Sequence, residues 1–303
     1  MKKAIITGGS GLVGHSLAKY LRSNGIDVLC LGRKHLVQND VDQLFGKDVS
    51  YIQLAMEDIT ELSRKISNIS WEVGDECIFY HLAWSGDKKL VDGDFEDQFR
   101  NATFSSLAVK EAKKLGCSKF INSGTVEETY AEWHMTNGAP FTSSQQNYAI
   151  AKLASRDMCS MVAYLDKIDY VHTRLSVPLS PDLSIGGYIP QTLKRIVDKD
   201  SYETPSNSQL YDITPIHDVA QAYHLLGMHG KNKADYFVGS GRSTKLVDYF
   251  QNVERTIAGL PIEQKDYSDI YSSEFFDNTL LCADTDFVPS ANSYDLFING
   301  RSL

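Results

Sequence analysis

The 303-residue chain is 42% hydrophobic and 23% charged, the balance of a folded globular protein, which argues against disorder. Its formal charge of −9 lacks the basic excess that a nucleic-acid binder uses to displace counterions. Five scattered cysteines contain no Cys-x-x-Cys pair and the eight histidines no ligand spacing, so neither a disulfide framework nor a metal site is expected.

In chain order, short apolar runs alternate with helical patterns. Strands are expected at Lys3–Thr7, Asp27–Leu31, Ser50–Leu54, Cys77–Leu82, Lys119–Asn122 and Tyr170–Leu175. Helices are expected at Leu12–Ser23, from about Asp97 to Leu115 and over Asn147–Leu165. This rhythm predicts an α/β fold, a Rossmann-type doubly wound parallel sheet with right-handed crossovers. From about Leu179 it breaks at Pro181, Pro190, Pro205 and Pro215, with a helix at Gln191–Lys199, a strand at Asp235–Val238 and a helix opening at Ser243-Thr244. The tail reads as irregular. The expected organisation is a nucleotide-binding core over 1–178 and a small C-terminal α/β substrate cap over 179–303, with segments around 212–240 returning to the core. The apolar run Ala4-Ile5-Ile6 is too short for a signal peptide, and no stretch approaches the ~20 apolar residues of a membrane span. The expectation is a cytoplasmic protein without membrane or nucleic-acid partners.

Directly after the first strand, Thr7-Gly8-Gly9-Ser10-Gly11-Leu12-Val13-Gly14 opens the first helix. Glycines there let the backbone turn sharply and approach a pyrophosphate, while the helix N-terminus offers unpaired N–H groups. Gly8, Ser10, Gly11, Leu12, Val13 and Gly14 are thus candidate cofactor-binding residues. The second strand ends Leu31-Gly32-Arg33-Lys34, with no acid to bond a ribose 2′-hydroxyl. Arg33 and Lys34 either grip a 2′-phosphate or form a solvated basic turn; the expectation is NADP, with NAD possible. Asp58, after the third strand, is placed near the adenine. Trp84, just past the fourth strand, either lines the substrate site or packs.

Tyr148 and Lys152 stand four residues apart on one helix face. About one such spacing is expected by chance in a chain this rich in both residues, so its position carries the argument. It opens the helix following the strand that ends Ile121-Asn122-Ser123-Gly124-Thr125.

With these motifs the chain resembles the extended short-chain dehydrogenase/reductase family, in particular its nucleotide-sugar epimerases, dehydratases and reductases. The resemblance covers most of the chain and includes His81-Leu82-Ala83, Asn101, Arg174, Asp212 and Ile216-His217-Asp218-Val219-Ala220. It implies a catalytic set of Thr125, Tyr148 and Lys152, with Leu82, Ala83 and Asn101 near the cofactor and Glu127, Arg174, Gln209 and Tyr211 near the substrate. Lys152 and the oxidised nicotinamide would lower the Tyr148 phenol's pKa from ~10 toward working pH. The chain also departs from the family. Thr125-Val126-Glu127 lacks the acid found there in dehydratases, Val177 stands in place of an asparagine, and Tyr211 in place of an arginine. Reduction of a 4-keto nucleotide sugar is therefore expected, with 4-epimerisation as the alternative and a silent dinucleotide-binding regulator as a third reading. A homodimer through the helices around Asp97–Leu115 and Asn147–Leu165 is expected from the apolar Leu153, Met158, Met161, Val162 and Leu165.

Overall fold

The structure is a computed structural model that describes every residue except 70, 75, 87–94, 139–145, 184–186, 207–208 and 301–303, and only the backbone at 298–300. The apolar runs form parallel strands Lys3–Thr7 (β1), Asp27–Gly32 (β2), Val49–Gln53 (β3), Cys77–His81 (β4), Lys119–Thr125 (β5) and Asp169–Leu175 (β6). Short strands Val177–Leu179 (β7), Leu210–Tyr211 (β8) and Ile213–Pro215 (β9) follow, then Asp235–Val238 (β10) and Thr244–Lys245 (β11). The main sheet has seven strands in the order β10-β6-β5-β4-β1-β2-β3, while β7 pairs with β9 and β8 with β11. All pairings in the main sheet are parallel, so the C-terminal ends of its strands share one edge.

The connecting helices are Leu12–Ser23 (α1), Gln38–Phe45 (α2), Leu62–Ile66 (α3), Phe95–Lys114 (α4), Val126–Asn137 (α5) and Gln146–Asp166 (α6). Tyr188–Asp198 (α7), Ile216–His229 (α8), Leu246–Ile257 (α9) and Thr279–Thr285 (α10) complete the set. Alternation along each strand divides the core into two layers. Ile6, Cys30, Tyr80 and Ile121 face Leu17 and Leu21 of α1 and Tyr223 and Leu226 of α8. Ile5, Leu29, Phe79 and Phe120 face Ala108 and Val109 of α4 and Cys159 and Ala163 of α6. Beyond residue 178 a separate apolar cluster gathers Leu193, Ile196, Ile213, Tyr249, Phe250 and Val253. Among the described residues no helix is long and apolar enough to cross a membrane.

Two buried charges tie stretches of chain that are distant in sequence. Lys119, at the start of β5, donates to the carbonyls of Leu226 (3.1 Å), Gly227 (3.1 Å) and Gly230 (2.8 Å), closing the C-terminus of α8. Asp212, between β8 and β9, accepts from the hydroxyls of Thr214 and Ser240 and the backbone N–H groups of Gly241 and Arg242. Burial pushes its carboxyl up, and the hydrogen bonds from Thr214, Ser240 and Gly241 oppose the shift.

Several elements differ from the expectation. α5 follows β5 directly, where no helix was predicted. α9 starts at Leu246 because Thr244 and Lys245 pair with Tyr211 and Leu210. The tail holds α10 and two 3₁₀ segments, Tyr271–Phe276 and Tyr294–Gly300.

Candidate active site

At the C-terminal edge of the sheet the glycine turn joins β1 to α1. Gly8 has φ +69°, and a Cβ on Gly14 would lie 2.3 Å from the Gly8 carbonyl oxygen, so both positions require glycine. Gly11 starts α1 without a side-chain cap, which keeps the first-turn N–H groups available for an anion. The backbone cradle therefore fits a dinucleotide pyrophosphate.

The end of β4 packs against this turn. A Cβ on Gly8 would lie 2.8 Å from the Ala83 nitrogen, and Thr7 Oγ1 accepts from Leu82 N–H (3.1 Å) and Ala83 N–H (3.2 Å). Thr7 Oγ1 also meets His81 Nδ1 at 2.9 Å, while His81 Nε2 meets Ser105 Oγ at 2.9 Å. Ser105 donates its own proton to the Asn101 carbonyl, so it accepts from His81 Nε2–H, and Nδ1 accepts from Thr7. Burial holds the imidazole neutral, its pKa pushed down to about 3.

Asn101, expected at the cofactor, is committed elsewhere. Its amide accepts from Ser85 N–H (2.8 Å) and donates to the carbonyls of Ser85 (3.1 Å) and Asp97 (2.8 Å). It holds the segment after β4 onto α4. Gln98, which the sequence did not single out, does the same for Trp84: it accepts from the indole Nε1–H at 2.7 Å and donates to the Gly86 carbonyl. A polar residue at a buried helix position has no distinguishing sequence signal.

Thr125 ends β5 and caps α5. Its hydroxyl accepts from Glu127 N–H, and its own N–H donates to Glu128 Oε1 at 2.9 Å, a reciprocal cap that leaves the Thr125 O–H free to donate. Glu128 Oε2 in turn meets His172 Nε2 at 2.8 Å. From α6, Lys152 reaches back to β5 and donates to the Ser123 carbonyl at 2.8 Å. The ammonium lies 3.9 Å from the centroid of the Trp84 ring and 5.9 Å from that of Tyr148. Burial pushes Lys152 down to about 8, against the opposing fields of Glu128 and Cys159. The structure thus brings Tyr148, Lys152 and Trp84 together beside the strand that carries Thr125.

Glu127 points instead into a neighbouring cavity of about 370 Å³, lined also by Tyr130, His134, Gln146, Gln209 and Tyr271. Burial pushes its carboxyl up, and the Gln209 amide, 3.3 Å away, opposes this. Val126, in the place of the dehydratase acid, is buried with Leu210, Phe237 and Phe276. Arg174, expected at the substrate, donates to Thr129 (2.7 Å), Glu132 (2.6 Å) and Asp235 (2.7 Å), which ties β6 to α5 and β10. Four of its five N–H donors are engaged in these bonds. Tyr211 is half-buried against the cluster of Leu193 and Phe250.

At the end of β2, Gly32 is buried and a Cβ there would lie 2.8 Å from the Tyr51 hydroxyl, which donates to the Lys34 carbonyl. Arg33, Lys34 and Asp58 are exposed. Among the described residues, no acidic partner lies within ion-pair distance of the Arg33 or Lys34 side chains.

Sheet order, glycine turn and the Tyr148–Lys152 helix define a doubly wound dinucleotide-fold enzyme. The chain belongs to the NAD dependent epimerase/dehydratase family, which it matches over residues 4–239. It shares its fold with the UDP-glucose 4-epimerase of Thermotoga maritima (19% identity, TM-score 0.72, covering 98% of this chain and 97% of that one). The UDP-N-acetylglucosamine 4-epimerase of Methanobrevibacter ruminantium M1 is also similar (17% identity, TM-score 0.72, 99% and 97% covered). So is WbmG of Bordetella bronchiseptica, solved with NAD and UDP (19% identity, TM-score 0.72, 98% and 93% covered).

Proposed function

We propose that this enzyme reduces a 4-keto nucleotide sugar with a preference for NADPH. The observation that carries the reading is the buried Lys152 cation beside Tyr148, on the sheet edge that also holds the glycine turn. When bound, the dinucleotide supplies the hydride. Thr125 donates its free O–H to the sugar oxygen and orients it. Tyr148 delivers the proton to that oxygen, and Lys152 stabilises the phenolate left behind. Glu127 and Gln209 line the cavity that Ala149, the neighbour of Tyr148, also lines, and contact the sugar, while Trp84 stands against Tyr148. Val126, apolar and buried, supplies no acid for loss of water.

The preference for NADPH rests on the end of β2. Tyr51 fills the space where an acid at position 32 would project, while Arg33 and Lys34 stand exposed without acidic partners among the described residues. Both suit a 2′-phosphate.

The names of the Thermotoga and Methanobrevibacter proteins favour a second reading, 4-epimerisation. A single experiment separates the two. The purified protein is incubated with NADPH and a 4-keto nucleotide sugar, and NADPH oxidation is measured against product. One NADPH consumed per product supports the reductase. Interconversion of 4-epimers without net consumption, with NAD(H) retained through purification, supports the epimerase.

A further inference from the structure

We propose that Trp84 is a positioning residue for the Tyr148–Lys152 pair, its indole face holding the Lys152 ammonium and its ring standing against that of Tyr148. The inference rests on the reading that this pair performs the chemistry. The ammonium lies 3.9 Å from the indole centroid, well inside cation–π range. The Trp84 and Tyr148 rings are 6.0 Å apart at 82°, a T-shaped contact. One aromatic side chain therefore touches both members of the pair.

The indole is held in this orientation. Its Nε1–H donates to Gln98, which is 1% exposed, and Gln98 donates to Gly86. The next residue, Ser85, is clasped by Asn101 through both its N–H and its carbonyl. A tryptophan serving only as packing would not need its ring plane fixed by a buried amide.

The arrangement answers an electrostatic problem. Lys152 is buried, and burial favours its neutral amine, which cannot stabilise a phenolate. Ser123 offers one carbonyl from β5. Glu128 from α5 and Cys159 from α6 favour the cation, and His81 on β4 is neutral. The indole adds a negative quadrupole face without adding a second anion that would compete with a bound substrate.

The test uses the ligand-free full chain with ¹⁵N-labelled lysine, following the Lys152 Nζ resonance with pH and assigning it by its loss in Lys152→Met. Trp84→Leu keeps apolar bulk and removes the π face, so the Lys152 midpoint should fall by about one pH unit. Trp84→Phe should give a smaller fall. An unchanged or raised midpoint in Trp84→Leu overturns the proposal. Should that variant lose its native near-UV circular dichroism, Trp84→Phe decides alone, and a midpoint equal to wild type overturns it. The reading of the pair fails separately, if Tyr148→Phe stays active, and that outcome leaves the lysine titration intact as a measurement of Trp84.

Discussion

Glu128 and His172 meet at 2.8 Å with their side chains 0% and 2% exposed, directly behind Gly124. A Cβ on Gly124 would lie 2.3 Å from Glu128 Oε1 and 2.5 Å from His172 Nε2. The strand that delivers Thr125 is thus seated on a buried acid–imidazole pair that leaves no room for a methyl group. Gly124→Ala should lose about 1–3 kcal/mol of stability through overpacking. Turnover should drop as well, because Glu128 also bonds the Thr125 N–H. A urea midpoint equal to that of wild type would refute the seating.

Arg33→Ala should weaken NADPH binding by roughly tenfold or more and leave NADH nearly unchanged, because only the former carries the 2′-phosphate. Calorimetric titration with both cofactors measures this. Equal losses would take Arg33 out of the phosphate role.

Tyr148→Phe keeps the ring against Trp84 and deletes the phenolic proton. We expect kcat to fall by roughly 10²–10⁴ while cofactor affinity holds. A variant retaining most of its activity would remove Tyr148 from the proton transfer.

His81 sets a pH dependence of stability. Its native pKa lies near 3 and the unfolded chain titrates near 6.5, so between these values only the unfolded state takes up the proton. Its contribution is fully present above 6.5 and is lost as pH falls toward 3. His81→Asn should be less stable at pH 7, where the Thr7–His81–Ser105 chain is broken. It should also lose less between pH 7 and pH 4.5 in urea unfolding. A variant losing as much as wild type would exclude His81 as a source of the acid sensitivity.

The proposed dimer has a sharper basis than the sequence supplied. Leu153 is buried and Val162 packs on the sheet, so neither is available to a partner. Met158, Met161, Tyr164 and Leu165 on α6 are exposed, together with Phe95 and Phe99 on α4. Met161→Glu or Leu165→Glu should convert a dimer to folded monomers, because each charge would be buried twice across the two-fold axis. A wild-type sedimentation mass of one chain at micromolar concentration rules the dimer out.

The sheet was legible because its strands are buried on both faces and read as continuous apolar runs. The glycine turn and the Tyr148–Lys152 spacing were legible because their chemistry depends on local backbone and helix periodicity. α5 was missed although Thr125-x-x-Glu128 is a capping signal; its weakly amphipathic sequence hid the helix that the cap starts. Gln98, Tyr51 and His172 could not be read. Each acts on the site through a contact distant in sequence, and only folding brings Gln98 to Trp84 or Tyr51 to Gly32. The ion pairs of Arg174 were hidden for the same reason, since its partners Glu132 and Asp235 lie 42 and 61 positions away.

Asp212 bears on how specificity can be re-engineered in this chain. Its carboxylate lies on the path into the last third of the molecule and collects donors from residues 214 and 240–242, after the chain has passed through β10. The stretches around 212 and 240–242 therefore act as one unit, although α8 and β10 lie between them in the chain. A chimera whose crossover falls between 214 and 240 must keep a matching set of donors across the junction. Otherwise it strands a buried carboxylate, which costs about 3–5 kcal/mol. Recombination should succeed only where the segments around 212 and 240–242 are inherited from the same parent.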